Sequence, residues 1–276
     1  MAAKKALCIH DMSCVGRSSL TAVSPVLSVK GIQCIPLPTT VLSSHYGGFG
    51  EVSKSELTDF CFESLSQFRR IGVNFDCVYA GYIANETQVE LVKQAFENNP
   101  QSLKVCDPVM GDNGRIYSSI TDKIMDGFKN LCSFSDIITP NTTEACILLG
   151  KDMTQTVFSR QQVCQLAVDL RQKYNCAVVI TGAKTDDGAV ICCGVEKDGI
   201  NTFVVECNYI PVHFPGTGDL FCATMIAYLM NGKTLTESVN KSARFVEICV
   251  KNTYTDNSVD TRYGVEIEEN LKHLME

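Results

Sequence analysis

Short apolar runs alternate along the chain with stretches of helical periodicity, and the alternation predicts a fold class before any single residue is interpreted. Ala6 to Ile9 is a buried-strand run, followed by a helix over Leu20 to Val29. Ile32 to Leu37 gives a second strand, and Ser55 to Arg70 an amphipathic helix with Leu57, Phe60, Cys61, Leu65 and Phe68 near one face. Phe75 to Ala80, Leu103 to Cys106, Asp136 to Thr139 and Ala177 to Ile180 read as further strands. Between them fall helices over Glu86 to Asn98, from Pro140-Asn141 through Leu149, and over Ser159 to Tyr174. Ala189 to Cys193 and Thr202 to Cys207, separated by the turn residues Glu196-Lys197-Asp198-Gly199, predict an antiparallel pair. Helices over Leu220 to Met230, Thr234 to Lys251 and Val265 to Met275 complete the chain. The expected fold is α/β, with a mainly parallel central sheet, helices on both faces and a short antiparallel portion. No repeat, low-complexity tract or linker interrupts it, so residues 1–276 are expected to form one domain.

Polar residues gather just beyond the strand ends, where ligands collect in open α/β sheets. The first strand delivers His10-Asp11 and then Ser13-Cys14-Val15-Gly16-Arg17-Ser18-Ser19; Asp11 is either a ligand contact or a turn carboxylate. The second runs into Pro38 to Gly50, a glycine-rich loop that carries Ser44, His45 and Tyr46 and is suited to covering a substrate. Tyr82 follows the third strand, where it can stack on a flat ring or simply pack. Asp107-Pro108-Val109-Met110-Gly111-Asp112 places two carboxylates close to the fourth strand end, a pattern that core packing does not explain and that suits Mg²⁺ and phosphate oxygens. Tyr117 lies slightly downstream, able to close over the site. After the fifth strand, Asn141 and Glu144 can form a capping box or hold water or Mg²⁺. Lys184, in Thr181-Gly182-Ala183-Lys184, either meets a nucleotide phosphate or solvates a turn.

Val212-His213-Phe214-Pro215-Gly216-Thr217-Gly218-Asp219 opens the apolar helix beginning at Leu220. Backbone N–H groups crowded by Gly216 and Gly218 at a helix N-terminus form an anion hole. Asp219 beside it is a poor phosphate ligand but a suitable base for a hydroxyl attacking that phosphate. Gly232-Lys233-Thr234 imitates the end of a P-loop, yet Ala227 stands where the motif needs glycine. The Gly-x-Gly-x-x-Gly dinucleotide fingerprint is missing after the first strand, which disfavours hydride transfer.

A formal charge of −7 and a pI near 5.2 exclude a nucleic-acid or anionic-membrane surface and point to a small-molecule partner. The fifteen cysteines contain no Cys-x-x-Cys pair and sit mostly in apolar runs, so buried reduced thiols are expected. The four histidines have no zinc-ligand spacing. Without a signal peptide or an apolar stretch near 20 residues, the expected location is the cytosol.

Taken together, Asp107-Pro108-Val109-Met110-Gly111-Asp112, Ile138-Thr139-Pro140-Asn141 with Glu144, and Gly216-Thr217-Gly218-Asp219-Leu220-Phe221 resemble the ribokinase-like superfamily, and within it the pyridoxal kinase branch. The resemblance implies a ribokinase-like three-layer sandwich and transfer of the ATP γ-phosphate to the hydroxymethyl group of pyridoxal, pyridoxamine or pyridoxine. It also implies Mg²⁺, K⁺ and a homodimer. By the same resemblance Asp219 is the base and the N–H groups of Thr217, Gly218 and Asp219 stabilise the transferring phosphoryl. Asp107, Asn141 and Glu144 organise phosphate and Mg²⁺, with Asp107 and Glu144 as the metal contacts. Thr139, Thr181 and Lys184 lie along the nucleotide, Tyr117 near the phosphate path and Tyr82 beside the ring. The departures are on the substrate side: Asp11 stands where the branch commonly has serine, and Tyr46, after Ser44-His45, where it has threonine. They leave open a hydroxymethylpyrimidine kinase, and a silent pyridoxal or nucleotide binder remains the reading outside enzymes.

Overall fold

The computed structural model describes residues 3–208, 210–255 and 259–275. Strand β1 (Lys4–Ser13) leads through a turn to α1 (Ser19–Val29), then β2 (Ile32–Leu42), the short β3 (Lys54–Glu56) and α2 (Thr58–Arg70). Next come β4 (Cys77–Ala80), α3 (Glu86–Asn98), β5 (Leu103–Cys106), the hairpin β6 (Gly111–Asp112) and β7 (Arg115–Ile116), and α4 (Asp122–Ser133). The remainder is β8 (Ile137–Ile138), α5 (Thr142–Leu149), α6 (Arg160–Tyr174), β9 (Ala177–Lys184), β10 (Val190–Val195), β11 (Thr202–Cys207), α7 (Thr217–Met230) and α8 (Leu235–Thr255).

Among the described residues nine strands form one sheet in the order β11-β10-β9-β8-β5-β4-β1-β2-β3. Pairing is parallel from β9 through to β2 and antiparallel at both edges, where β10 and β11 join one side and β3 the other. β1 lies between β4 and β2, so strand order reverses there. That reversal opens a crevice at the carboxyl ends of β1 and β4.

Side-chain alternation divides the core into two layers. Leu7 and Ile9 of β1 face one way with Val78 and Ala80 of β4, packing against α2 to α6; Ala6 and Cys8 face the other way with Cys77 and Tyr79, against α1, α7 and α8. Helix α7 is apolar nearly all round, with buried residues on every turn, which suits a helix enclosed between the sheet and its neighbours.

Several elements differ from the sequence expectation. β2 continues to Leu42 through Pro36 and Pro38, because β3 pairs only with Thr40 to Leu42 and the prolines sit where the outer edge demands no ladder donor. Lys54–Glu56 is that edge strand, so α2 starts at Thr58 and not at Ser55. Helix α4, capped by Thr121, and the β6–β7 hairpin were not anticipated. The helix expected over Val265 to Met275 is reduced to a short 3-10 turn, Leu271–Leu274. All fifteen cysteines are free thiols and only Cys14 is exposed. Among the described residues no helix is long and apolar enough to cross a membrane.

Candidate active site

Two cavities, of about 570 and 500 Å³, meet above the sheet at the crevice, both within the usual size of small-molecule sites, about 300–1,000 Å³. They share a seam that includes Thr181, Gly182, Thr217 and Gly218. The larger is lined by Asp11, His45, Tyr46 and Tyr82 on one side and by Asp107, Thr139, Asn141 and Glu144 on the other; Gly216 and Asp219 lie between and Tyr117 at the rim. Lys184 lines only the smaller cavity, with Nζ 3.1 Å from Asn113 Oδ1. Ser44 lines neither and is buried, 7% exposed.

The seam is made by the start of α7. Leu220 N–H gives the first helical bond, to Gly216 C=O at 3.0 Å, so the amides of Thr217, Gly218 and Asp219 come before any i−4 partner and are available as donors. Gly216 has φ of +81°, and a methyl there would lie 2.0 Å from the Arg17 carbonyl oxygen, so no other residue fits. The Ser18 hydroxyl also borders the larger cavity, buried and without a hydrogen-bond partner among the described residues.

Asp219 is held from two sides. His10 Nε2 lies 3.0 Å from Oδ1, and the Ser19 amide donates to Oδ2 at 2.7 Å. His10 faces Asp11 Oδ1 with its other nitrogen at 2.9 Å, and Asp11 also accepts from Ser19 Oγ at 2.6 Å and Ser13 Oγ at 3.1 Å. The Asp11 amide is 2.9 Å from His10 Nδ1 as well, but a ring enclosed by two carboxylates is best satisfied with a proton on each nitrogen, so Nδ1 donates. Burial pushes His10 down from the usual 6.5; Asp219 and Asp11 outweigh that and hold it up at about 10. Burial opposes ionised Asp11 too, yet the bonds from His10, Ser19 and Ser13 bring it below the usual carboxylate range.

Asp107 and Glu144 behave oppositely. Burial and the charge of Asp219 lift Asp107 to about 7, with Thr139 Oγ1 donating to it at 3.1 Å. Burial and the neighbouring Asp107 raise Glu144 well above its usual range, although it accepts from the amides of Met110 (3.0 Å) and Asn141 (2.9 Å). Asn141 and Glu144 therefore form the capping box of α5, and Asn141 also donates to Gly111 C=O at 2.8 Å, which ties this turn to the hairpin. Two buried, mutually repelling carboxylates are a donor set that suits a hard cation. Among the described residues no three His, Cys, Asp or Glu side chains gather as a group that could hold a metal ion.

His45 keeps the covering loop in place. Nδ1 accepts from Gly47 N–H at 2.9 Å and Nε2 donates to Arg262 C=O at 2.6 Å, so its nitrogens are occupied by backbone and not offered to a ligand. Arg262 adds a bond to Gly48 C=O at 3.2 Å, and Phe49 packs edge-on against Tyr263. Tyr46 is half exposed and borders the cavity; Tyr82 is buried at its wall. Sequence reasoning missed His10 and Ser19, although a His-Asp pair continuing an apolar strand was a signal that both would be buried together.

The family model described as phosphomethylpyrimidine kinase matches residues 58–262. The chain belongs to that family. A Schizosaccharomyces pombe protein provisionally named a pyridoxal kinase is 30% identical over 246 residues, 86% of this chain and 77% of its own length. A Bacteroides thetaiotaomicron protein provisionally named a phosphomethylpyrimidine kinase, crystallised with pyridoxal, is 32% identical with a TM-score of 0.93, covering 99% of this chain and 96% of that one. The pyridoxal kinase of Lactobacillus plantarum is 26% identical with a TM-score of 0.90, over 99% and 96%. The three-layer arrangement is thus the ribokinase-like fold of these kinases.

Proposed function

We propose that this family member transfers the γ-phosphoryl group of ATP to the 5′-hydroxymethyl group of a vitamin B6 vitamer, pyridoxal, pyridoxamine or pyridoxine. The observation that carries the reading is the seam: two cavities meet over the free amides of Thr217 and Gly218, with Asp219 at the junction. An acceptor in the larger cavity and a nucleotide in the smaller would face each other across an anion hole, the geometry in-line transfer needs. Similarity to two proteins named pyridoxal kinase, and to a third, named for phosphomethylpyrimidine, that was crystallised with pyridoxal, supports the choice of acceptor.

In this reading Asp219 accepts the hydroxymethyl proton, and the amides of Thr217, Gly218 and Asp219 donate to the phosphoryl oxygens as charge builds there. Tyr82, at the cavity wall, flanks the ring, and Tyr46 and His45 close the cavity from the loop side. Ser18 supplies a free hydroxyl toward the acceptor. Thr139, Thr181 and Lys184 serve the nucleotide, with Tyr117 over the phosphate path. Asp107 and Glu144, with Asn141 orienting the turn, would hold Mg²⁺, which neutralises phosphate charge when bound. K⁺, a homodimer, a cytoplasmic location and a single kinase domain over residues 1–276 complete the proposal.

The deciding experiment measures ATP consumption with Mg²⁺ and K⁺ on pyridoxal, pyridoxamine, pyridoxine and hydroxymethylpyrimidine at equal concentrations. A B6 vitamer should give the highest kcat/KM. Preference for the pyrimidine would replace the acceptor and keep the mechanism; binding without turnover would make the protein a silent binder.

A further inference from the structure

Resting on the kinase reading, we infer that His10, fixed by Asp11, is the positioning residue for Asp219: a cationic ring that holds the base carboxylate in one orientation and offsets the charge of Asp107 nearby. Four residues close a hydrogen-bonded circuit. Asp11 joins His10 at 2.9 Å, His10 joins Asp219 at 3.0 Å, the Ser19 amide returns to Asp219 at 2.7 Å, and Ser19 Oγ returns to Asp11 at 2.6 Å. Each member comes from an element whose position the fold sets independently: β1, the start of α1 and the start of α7.

Three features show that the circuit is built and not incidental. First, the register of β1 against β2 shifts between His10 and Met12, a bulge of the kind that re-aims side chains, at the place where His10 and Asp11 reach the cavity. Second, Ser19 takes φ of +53°, a conformation that non-glycine residues seldom adopt, and there its amide and hydroxyl reach two different carboxylates. Third, Gly81 at the end of β4 leaves room for the ring: a methyl there would lie 2.0 Å from His10 Cδ2. Asp11, expected to touch the substrate, has its carboxylate filled by His10, Ser13 and Ser19, so its part is to hold the ring.

The groups facing His10 are Asp11 on its own strand, Asp219 on α7, Tyr79 on β4 at a ring-centre distance of 5.9 Å, and the charge of Asp107 beyond β5. A cation among three carboxylates offsets their mutual repulsion beside an incoming polyphosphate. It also fixes which oxygens of Asp219 are engaged, so the remaining lone pairs keep one direction toward the acceptor.

The test combines a titration and kinetics. In the whole protein, ¹⁵N-histidine NMR from pH 5 to 10 should find the His10 ring protonated at pH 8. The kinetic arm compares wild type, His10→Gln, His10→Ala and Asp219→Asn at saturating ATP and Mg²⁺ across pH 5 to 9. His10→Gln, which keeps a neutral donor near the Nε2 position, should lower kcat about tenfold, and His10→Ala about 10², with the KM for ATP within about twofold of wild type. The loss should fall on kcat while the fraction of protein that binds nucleotide, titrated by calorimetry, stays near wild type. A purely structural role would lower that fraction in step with kcat. A neutral ring at pH 8, or variants with unmoved kcat, overturns the inference. The wild-type titration decides even if the variants fail to fold. A wild type silent with every vitamer sinks the kinase reading alone, and the ring titration still decides the charge of the clamp.

Discussion

Two buried histidines border the same cavity and are held in opposite ways. His10 lies between carboxylates, with Asp11 and Asp219 at its two nitrogens; His45 lies between backbone groups, accepting from Gly47 N–H and donating to Arg262 C=O. Each ring rests on a glycine, Gly81 beneath His10 and Gly16 beneath His45. The packing device is the same, but the partners divide the labour. Carboxylate partners make a charged cluster at the seam of the cavities, whereas backbone partners tie one loop to a distant segment of chain.

The largest effect that sharpens this contrast belongs to the charged side. Asp219→Asn should lower turnover by about 10² or more, the usual range for a lost general base, while nucleotide affinity by calorimetry stays close to wild type. Turnover within tenfold would remove Asp219 from that role and leave the two histidines functionally alike.

The paired glycines come next. Gly81→Ala places a methyl 2.0 Å from His10 Cδ2, and Gly16→Ala one 2.3 Å from His45 Cδ2, the latter at φ of +99°. Urea unfolding should show each destabilised by about 1–3 kcal/mol, the range for overpacking. Steady-state kinetics should separate them, with Gly81→Ala lowering kcat and Gly16→Ala raising the acceptor KM. If both move the same constant, the division of labour fails.

Alkaline stability offers a subtler test. The His10 pKa is raised in the folded state, so its contribution is complete below the unfolded value near 6.5 and is lost as pH rises toward about 10. Stability of wild type should therefore decline across that window, and His10→Gln should flatten the decline in urea midpoints measured at pH 6, 8 and 10. The smallest effect is expected for Arg262→Ala: its ion pair with Asp260 is exposed and screened by solvent, and the acceptor KM should rise only about twofold.

Legibility in the sequence followed the same division. Strand ends on the phosphate side announce themselves, because Asp107-Pro108 and Gly216-Thr217-Gly218-Asp219 combine residues that packing alone does not require. The central parallel strands were legible as apolar runs. Strand β2 was cut short at Pro38 because proline argues against a strand unless the neighbouring edge is known to be open. Asp11 was legible as a site residue but not as a partner of His10, since a circuit joining positions 10, 11, 19 and 219 arises only when α7 is laid against β1 and α1. Helix α4 has a capping threonine and an apolar face, and could have been found by the periodicity that identified its neighbours.

The seam between the cavities carries one more consequence, for inhibition. Because Thr217 and Gly218 belong to both walls, the acceptor and nucleotide sites of the proposed reaction adjoin, and a molecule that crosses these two residues reaches both. A pyridoxyl group joined to adenosine through a phosphate chain of suitable length would meet its second half-site already tethered, at an effective concentration in the millimolar range for a short flexible link. Such a compound would exclude both substrates at once, and its optimal chain length would serve as a ruler for the distance the phosphoryl group travels.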